Sequence, residues 1–192
     1  MGVLRSDYEE IYRGRAWAYS DRPDEHLIRA LVGKQPGRAV DLGGGQGRHA
    51  LALAALGYDV VLVDSAAEGL HQATAAAEEK GLKMHTHQSD IVNYVPEGPL
   101  SLAVASLLFH IPSKTASKKA AAAVGEALIP GGLFYFSLKG YSKDTIELID
   151  TLIDAAGCKP EWTIKHLVTK KDRPRLGVAR RNETRALAVK PH

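Results

Sequence analysis

The sequence has few of the features that mark secreted or membrane proteins. Its 192 residues include one cysteine, Cys158, and a single cysteine cannot close an intramolecular disulfide. The most apolar stretch, residues 102–109, is far shorter than the roughly 20 residues of a membrane-spanning helix. The N-terminal residues MGVLRSDYEEIYRG contain acids and arginines where a signal peptide has an apolar core. We therefore expect a cytoplasmic protein with no membrane partner.

The net charge of +3 comes from one end of the chain. Residues 163–192 contain nine lysines and arginines against two acids, which leaves a net charge of −4 for residues 1–162. A basic segment of this kind binds nucleic acid or acidic small molecules, or forms a solvated hairpin. No aromatic residues are interleaved with the basic ones, which favours the hairpin.

Strand-like and helix-like segments alternate along nearly the whole chain, an order typical of an α/β domain with helices on both faces of a parallel sheet. Strands are predicted at 38–42, 59–64, 83–90, 100–109 and 133–138. Helices are predicted from Pro23 to Gly33 and at 48–56, 66–80, 113–128 and 144–156. The first helix is expected to place Leu27, Ile28, Leu31 and Val32 on one apolar face, and Pro130-Gly131-Gly132 is expected to stop the fourth. Residues 161–170 and 184–190 predict an antiparallel edge pair.

The stretch DLGGGQG, Asp41 to Gly47, follows the first predicted strand and precedes a helix. Glycine admits positive φ and has no Cβ, so a ligand can lie against this loop, while the amides at the helix start favour a negative group. The spacing does not match the dinucleotide fingerprint G-x-G-x-x-G, because Arg48 stands where the third glycine is needed. It does not match a phosphate-binding G-x-x-x-x-G-K-[ST] loop either. The spacing that fits is acid-x-G-x-G-x-G.

Four segments in order resemble the class I S-adenosylmethionine-dependent methyltransferases. They are the glycine loop, Asp64 at the end of the second strand, Ser89-Asp90-Ile91 at the end of the third, and ALIPGGLFYFS before and within the fifth. The resemblance implies an α/β, three-layer, Rossmann-like fold whose seven-stranded, mostly parallel sheet ends in an antiparallel C-terminal edge hairpin. It implies a single domain over 1–192, with an N-terminal helical cap segment (1–35), a cofactor-binding core (36–140) and a C-terminal helix with edge strands (141–192).

The resemblance also implies a cofactor site, with S-adenosyl-L-methionine as methyl donor and S-adenosyl-L-homocysteine as product. Asp64 is expected to bind both ribose hydroxyls, because a carboxylate accepts two hydrogen bonds at once. Asp90 is expected near the adenine amino group. The residues implied in cofactor binding are Asp41, Gly43, Gly44, Gly45, Gly47, Asp64, Ser65, Asp90, Ile91, Ser106 and Leu107.

Within that family, GQGRHALALAALGYDVVLVD and the short VASLLFHIP are most similar to small methyltransferases of the tellurite-resistance type. Two positions depart from the family pattern. Ser101 replaces the acid that often begins the fourth strand, and Ser65 replaces the aromatic residue that often follows the second-strand acid. The second departure leaves the adenine face to be covered by other residues.

Methyl transfer from a sulfonium is an in-line displacement, which needs alignment of donor and acceptor more than acids or bases. His110 follows the fourth strand and is the candidate catalytic general base, with a role as pocket wall as the alternative. Tyr12, Trp17 and Tyr19 precede the first predicted helix. With His110 they are expected to line the acceptor pocket, with plain packing as the alternative.

The predicted activity is methylation of a small molecule by a monomer or homodimer. Two alternatives stay open: an RNA-modifying methyltransferase that uses the basic C-terminal segment, and a protein that binds S-adenosylmethionine without turnover. No metal site is expected, because His85 and His87 lack a third ligand nearby in sequence. Arg48 is expected to organise the glycine loop and Arg22 to meet the donor carboxylate.

Overall fold

The computed structural model describes residues 5–13, 17–167 and 182–192. The helices in these ranges are α1 (Arg5–Tyr12), α2 (Glu25–Ala30), α3 (Arg48–Ala55), α4 (Ala67–Glu79), α5 (Lys114–Ala127) and α6 (Lys143–Ala155). The strands are β1 (Arg38–Leu42), β2 (Asp59–Asp64), β3 (His85–Gln88), β4 (Leu100–Ser106), β5 (Leu128–Lys139), β6 (Lys159–Leu167) and β7 (Asn182–Val189). No helix in the described ranges is long and apolar enough to span a membrane.

The strands form one sheet in the order β3-β2-β1-β4-β5-β7-β6. Strands β1 to β5 pair in parallel, whereas β7 runs antiparallel to both β5 and β6. The strand order reverses at β1 and β4, so the carboxyl ends of these neighbours open a crevice of the kind in which α/β proteins bind ligands. The predicted fold class, with its antiparallel edge strands, is confirmed.

Alternate residues of the strands supply two apolar cores, one on each face of the sheet. Phe134 and Phe136 of β5 join the core that includes residues of α5 and α6. Leu133 and Tyr135 of the same strand join the core that includes residues of α2, α3 and α4. Successive side chains of a strand point to opposite faces, so the register of β5 places Phe134 and Phe136 in one core and Leu133 and Tyr135 in the other. The helices cover both faces, and the loops at the carboxyl ends of the strands form the rim of the crevice.

Two local predictions are wrong. Val32 is 78% exposed, because α2 already ends at Ala30. Val32 lies in the turn that closes the helix, where its amide donates to Arg29 O (3.3 Å), and this turn directs the side chain to solvent. The Pro130-Gly131-Gly132 segment follows α5 as expected but lies within β5 rather than before it. Its pairing with the chain after β7 explains this, since Lys190 N donates to Gly132 O (2.9 Å). Residues 168–181, which include most of the basic C-terminal segment, lie outside the described residues.

A cap between distant parts of the chain joins α1 to α4. The N-cap position of α4 is Ala66, whose side chain has no oxygen to accept from the first helical amides. Glu9 of α1 supplies the acceptor: Oε1 accepts from Ala67 N (2.7 Å) and Oε2 from Glu68 N (3.1 Å). A carboxylate at a helix N-terminus is also favoured by the helix dipole. This contact holds the N-terminal segment beside the glycine loop.

Glu9→Ala is expected to lower the free energy of unfolding by about 0.5–2 kcal/mol, the usual cost of losing a helix cap. Glu10→Ala is the matched control, because Glu10 is exposed on the same helix; its effect is expected to stay within about 0.5 kcal/mol. Urea unfolding followed by circular dichroism measures both. Equal effects of the two variants would show that Glu9 does not cap α4 in solution.

Candidate functional site

The glycine loop lies at the carboxyl end of β1, where the strand order reverses. Gly43, Gly45 and Gly47 have φ values of +63°, +54° and +80°. Each alternate glycine of the motif therefore takes the left-handed conformation that other residues avoid. The Gly43 amide donates to Val63 O (2.7 Å), which ties the start of the loop to β2. Helix α3 begins directly after Gly47.

Gly45 is the point where three parts of the chain meet. A Cβ atom at this position would touch the hydroxyl of Tyr12, which is 5% exposed. The Gly45 amide donates to Oδ2 of Asp64 (2.8 Å). The centre of the loop thus needs glycine both for its backbone conformation and for the close approach of the N-terminal segment.

Asp64 ends β2 with its carboxylate toward the glycine loop. Its Oδ1 accepts from Ala66 N (2.9 Å), and its Oδ2 accepts from Gly45 N. Burial raises the pKa of Asp64, and the backbone hydrogen bonds from Ala66, Gly45 and Ser65 lower it in part. An ionised carboxylate has about four acceptor positions. Three backbone amides occupy acceptor positions, so one further hydrogen bond is available to a ligand at this carboxylate.

Asp41, the acid that opens the motif, lies beneath the loop rather than in the crevice. It is completely buried, and its Oδ2 accepts from Ala50 N of α3 (3.1 Å). A Cβ atom on Gly44 would lie 2.6 Å from this same oxygen. The predicted role of Asp41 in cofactor binding therefore becomes an indirect one: it supports the loop from below.

The pKa of Asp41 leads to a pH dependence of stability. Burial raises this pKa to about 7, and the Ala50 amide and the charge of Arg48 lower it in part. The folded protein therefore holds a proton that the unfolded chain releases near pH 4, so the stabilising contribution is complete below about pH 4 and is lost as the pH rises toward 7. Asp41→Asn cannot ionise. Its free energy of unfolding, relative to wild type, is expected to increase from pH 4 to pH 7 in urea titrations.

Asp59→Asn is the matched control for this titration. It makes the same chemical change on β2, at a side chain that is 61% exposed. Because that side chain is exposed, the substitution is expected to change the free energy of unfolding by less than about 0.5 kcal/mol. A difference between Asp41→Asn and wild type that did not change with pH would contradict the raised pKa.

The end of β4 forms the wall opposite Asp64. Arg48, the first residue of α3, donates from its guanidinium to Ser106 Oγ (3.0 Å), as expected of a residue that organises the loop. Leu107 follows with φ +55°. The next residue, Leu108, packs so closely on the loop that a Cβ atom on Gly43 would lie 2.6 Å from its Cδ1. The loop is thus held at both of its ends by β4.

The third strand end contributes one exposed acid. Asp90 is exposed, and its Oδ1 accepts from Val92 N (3.1 Å). Ile91 places its side chain in the core and has only main-chain groups for a ligand. Ser65 is half-buried, and its carbonyl accepts from Gln88 Nε2 (3.2 Å).

The N-terminal aromatic residues lie at the Asp64 end of the crevice. Tyr12 and Tyr19 have ring centroids 6.4 Å apart in an edge-on arrangement. Burial raises the pKa of both phenols, and the charge of Asp64 raises them further. Trp17 is half-buried in the same segment, which Gln46 fastens by accepting from Ala18 N (2.7 Å).

His110 lines a different pocket. An open cavity of about 430 Å³ lies between the starts of α5 and α6 and the ends of β4 and β5, and His110, Lys139 and Asp144 are among its lining residues. None of the described N-terminal aromatic residues lines it. Of the residues predicted for the acceptor pocket, Tyr12, Trp17, Tyr19 and His110, only His110 lines this cavity, and their joint role stays a prediction. His110 reaches the cavity because the turn after β4 sends Phe109 into the core on the α5 and α6 face.

A buried ion pair beside the crevice was missed by the sequence patterns. The Arg185 guanidinium of β7 pairs with the carboxylate of Asp24, the N-cap of α2, and their side chains are 8% and 3% exposed. The Tyr135 hydroxyl also hydrogen bonds with Asp24. The sequence did contain one indication of this pair. Arg185 lies inside the otherwise apolar strand TRALAVK, and a buried arginine needs a partner of opposite charge. Arg22, expected at the donor carboxylate, is exposed.

The histidines of β3 lie on an exposed edge strand. His85 Nε2 is 3.9 Å from an Asp59 carboxylate oxygen, and the His87 ring centroid is 5.1 Å from that of Tyr94. Within the described ranges, no group of three or more histidines, cysteines and acids is arranged to hold a metal ion.

A family model described as a methyltransferase domain matches residues 39–132. The match begins in β1 and ends in β5. It therefore includes the glycine loop, Asp64, Asp90 and the turn after β4, which form the crevice described above.

Two curated relatives and one solved structure are similar to the chain. The tRNA 5-carboxymethoxyuridine methyltransferase of Escherichia coli K12 is 34% identical over 92 residues, which are 45% of this chain and 33% of that protein. The ribosomal protein L11 methyltransferase of Thermus thermophilus is 32% identical over 138 residues, 68% of this chain and 52% of that protein. The chain thus spans a third to a half of the length of these relatives.

The solved structure is that of TehB from Haemophilus influenzae. It superposes with a TM-score of 0.74 at 18% identity, over 97% of this chain and 66% of that one. At this identity the likeness concerns the fold, and it extends over nearly all the elements described above.

Proposed function

Because the chain belongs to the class I S-adenosylmethionine-dependent methyltransferases, we propose that it transfers a methyl group from S-adenosylmethionine to a small-molecule acceptor. The donor, when bound, supplies an electrophilic methyl group on a positively charged sulfur. Holding two reactants in line accounts for roughly 7–11 kcal/mol of such a barrier. The residues of this chain therefore act by binding, orienting and enclosing the two reactants.

The geometry of Asp64 and Gly45 is the observation that carries the proposal. The Asp64 carboxylate keeps an acceptor position for a ribose hydroxyl, beside a loop in which a side chain at the centre is excluded. Asp90 is exposed at the next strand end, where it can accept from an adenine amino group. The residues present therefore fit an adenosyl ligand that lies along the carboxyl ends of β1 to β4.

Arg48 supplies a cation at the end of β4, at the other end of this path. One of its amino groups donates to Ser106, and a guanidinium has five N–H donors, so others remain for a carboxylate. We assign the donor's amino-acid carboxylate to Arg48 rather than to the exposed Arg22. Arg48 also begins α3, where the helix dipole favours a negative group.

The N-terminal segment supports a small acceptor. Tyr12 is buried over Gly45, Ala18 is fastened by Gln46, and Glu9 fixes α1 to α4. A folded macromolecule would have to displace these contacts to reach the crevice, whereas a small molecule can enter beside them. Tyr12 and Tyr19 also present ring systems near the donor, and aromatic faces attract cations such as a sulfonium.

A thermal-shift comparison tests the donor assignment. S-adenosylmethionine and S-adenosylhomocysteine at a hundred times their dissociation constants are expected to stabilise the protein by about 2.7 kcal/mol, and NADH, FAD and ATP are expected to have no effect. Selective stabilisation by a dinucleotide would overturn the proposal. Methylated product from a screen of small nucleophiles, detected by mass spectrometry, then tests the acceptor class.

A second candidate is methylation of RNA, favoured by the relative whose name places its activity on tRNA. The basic segment would supply the phosphate contacts. Salt-sensitive binding of tRNA that is lost when Arg173, Arg175, Arg180 and Arg181 are changed to glutamate would favour this candidate. Absence of tRNA binding at low salt would remove it.

A further inference from the structure

Ser137 of β5 lies at the junction between the sheet and the crevice. It is completely buried and pairs in register with Ser106 of β4. Its carbonyl oxygen and its Oγ both accept from the Leu107 amide, at 2.9 Å and 3.0 Å. Its Oγ also shares a hydrogen bond with Ser106 Oγ (3.1 Å). One side chain thus contacts both of the residues that end β4 at the crevice.

The first connection from Ser137 runs through the backbone to the start of the glycine loop. Leu107 has φ +55°, a left-handed conformation that is strained for a non-glycine residue. The two acceptors of Ser137 hold the Leu107 amide in that conformation. The turn made by Leu107 places Leu108 against Gly43, the first glycine of the loop.

The second connection runs through side chains to the other end of the loop. The Ser137 hydroxyl contacts that of Ser106, which accepts from the Arg48 guanidinium. Arg48 follows Gly47, the last glycine of the loop, and begins α3. Both ends of the glycine loop are therefore linked to the same buried hydroxyl.

We propose that Ser137 is a positioning residue for the amino-acid end of the donor. It touches no ligand; it sets the positions of Ser106 and Leu107 and, through them, of Arg48 and Gly43. This inference rests on the proposed function, because it concerns the same donor site. The adenosyl end, bound at Asp64 and Asp90, lies outside the two connections.

Two ligands allow binding at the two ends of the donor site to be measured separately. S-adenosylhomocysteine has both the adenosyl and the amino-acid end, whereas 5′-methylthioadenosine has the adenosyl and thioether groups alone. By calorimetry, Ser137→Ala is expected to weaken S-adenosylhomocysteine binding about 5- to 10-fold, the effect of losing a hydrogen bond in a network. It is expected to change methylthioadenosine binding less than about twofold. A merely structural role would not move the two affinities apart.

Ser101→Ala is the matched control. The Ser101 hydroxyl also bonds to a backbone group, Arg38 O (3.1 Å), but it lies at the start of β4, away from the crevice. Both affinities are expected to stay unchanged in this variant. If Ser137→Ala does not fold, Ser137→Cys keeps the size with a weaker acceptor and is expected to show the same selective loss to a smaller degree.

Equal changes in the two affinities, or no change in either, would overturn the positioning role of Ser137. A double-mutant cycle with Ser106→Ala adds a second test, since two members of one network are expected to give less than the product of their separate effects. Fully multiplicative effects would also overturn it. Failure of the wild-type protein to bind S-adenosylhomocysteine would instead overturn the proposed function.

Discussion

Asp64→Ala is expected to weaken the binding of S-adenosylmethionine by about 2–5 kcal/mol, because the charge-assisted hydrogen bonding of this carboxylate to the ribose is lost. The variant also removes the acceptors of the Gly45 and Ala66 amides, so the glycine loop loses its link to the end of β2. Isothermal calorimetry with S-adenosylhomocysteine measures the loss. Methylthioadenosine keeps the ribose and is expected to lose affinity by the same factor.

The control for Asp64 is the acid at the other end of the same strand. Asp59→Ala removes an exposed carboxylate from the start of β2, remote from the crevice, and is expected to leave both affinities unchanged. Urea unfolding of the Asp64 variant separates lost affinity from lost stability. Unchanged affinity in Asp64→Ala would mean that the ribose lies elsewhere in the crevice.

Arg185→Met is expected to lower the free energy of unfolding by about 3–5 kcal/mol, the cost of leaving a buried charge without its partner. Methionine keeps much of the length of the arginine side chain but leaves the Asp24 carboxylate, 3% exposed, with no guanidinium beside it. The loss is expected to be that large because Asp24 also caps α2, by accepting from His26 N (2.9 Å), and cannot turn to solvent without uncapping the helix. Urea denaturation measures it.

Arg29→Met is the matched control for this variant. Arg29 pairs with Glu25 in α2 at 3.4 Å, but the two side chains are 74% and 82% exposed, so the change is expected to cost less than about 1 kcal/mol. Asp24→Asn combined with Arg185→Met is expected to recover part of the loss, because the buried side chain at position 24 then carries no charge. A loss in Arg185→Met no greater than that in Arg29→Met would show that the buried pair does not form in solution.

The parts of the crevice that depend on a local sequence pattern could be predicted from the sequence alone. The β-branched run of β2 predicted a strand within a parallel sheet, and the acid-x-G-x-G-x-G spacing predicted a tight loop before a helix. In the structure the three alternate glycines have positive φ, and β2 pairs on both sides. The resemblance to the class I methyltransferases is confirmed by the family match over residues 39–132. The assignment of single residues to the donor remains a prediction.

Contacts between distant segments were not predictable in the same way. No pattern of residue types showed that Glu9 would cap α4, or that an arginine of β7 would pair with an acid that caps α2. The separation of His110 from the N-terminal aromatic residues in the α5–α6 cavity was not predictable for a related reason. Which face of the sheet a loop reaches depends on the backbone turn at Leu107, and a leucine in the left-handed conformation has no sequence signature.

The sequence by itself determined the fold class, the glycine loop and the acid at the end of β2, because each follows from local periodicity or from a fixed spacing of residues that have special backbone freedom. The tertiary structure alone decided how these parts are held: the buried Asp24–Arg185 pair, the Glu9 cap and the links from Ser137 to both ends of the loop. Each of these joins groups whose desolvation is offset only when the chain brings them together.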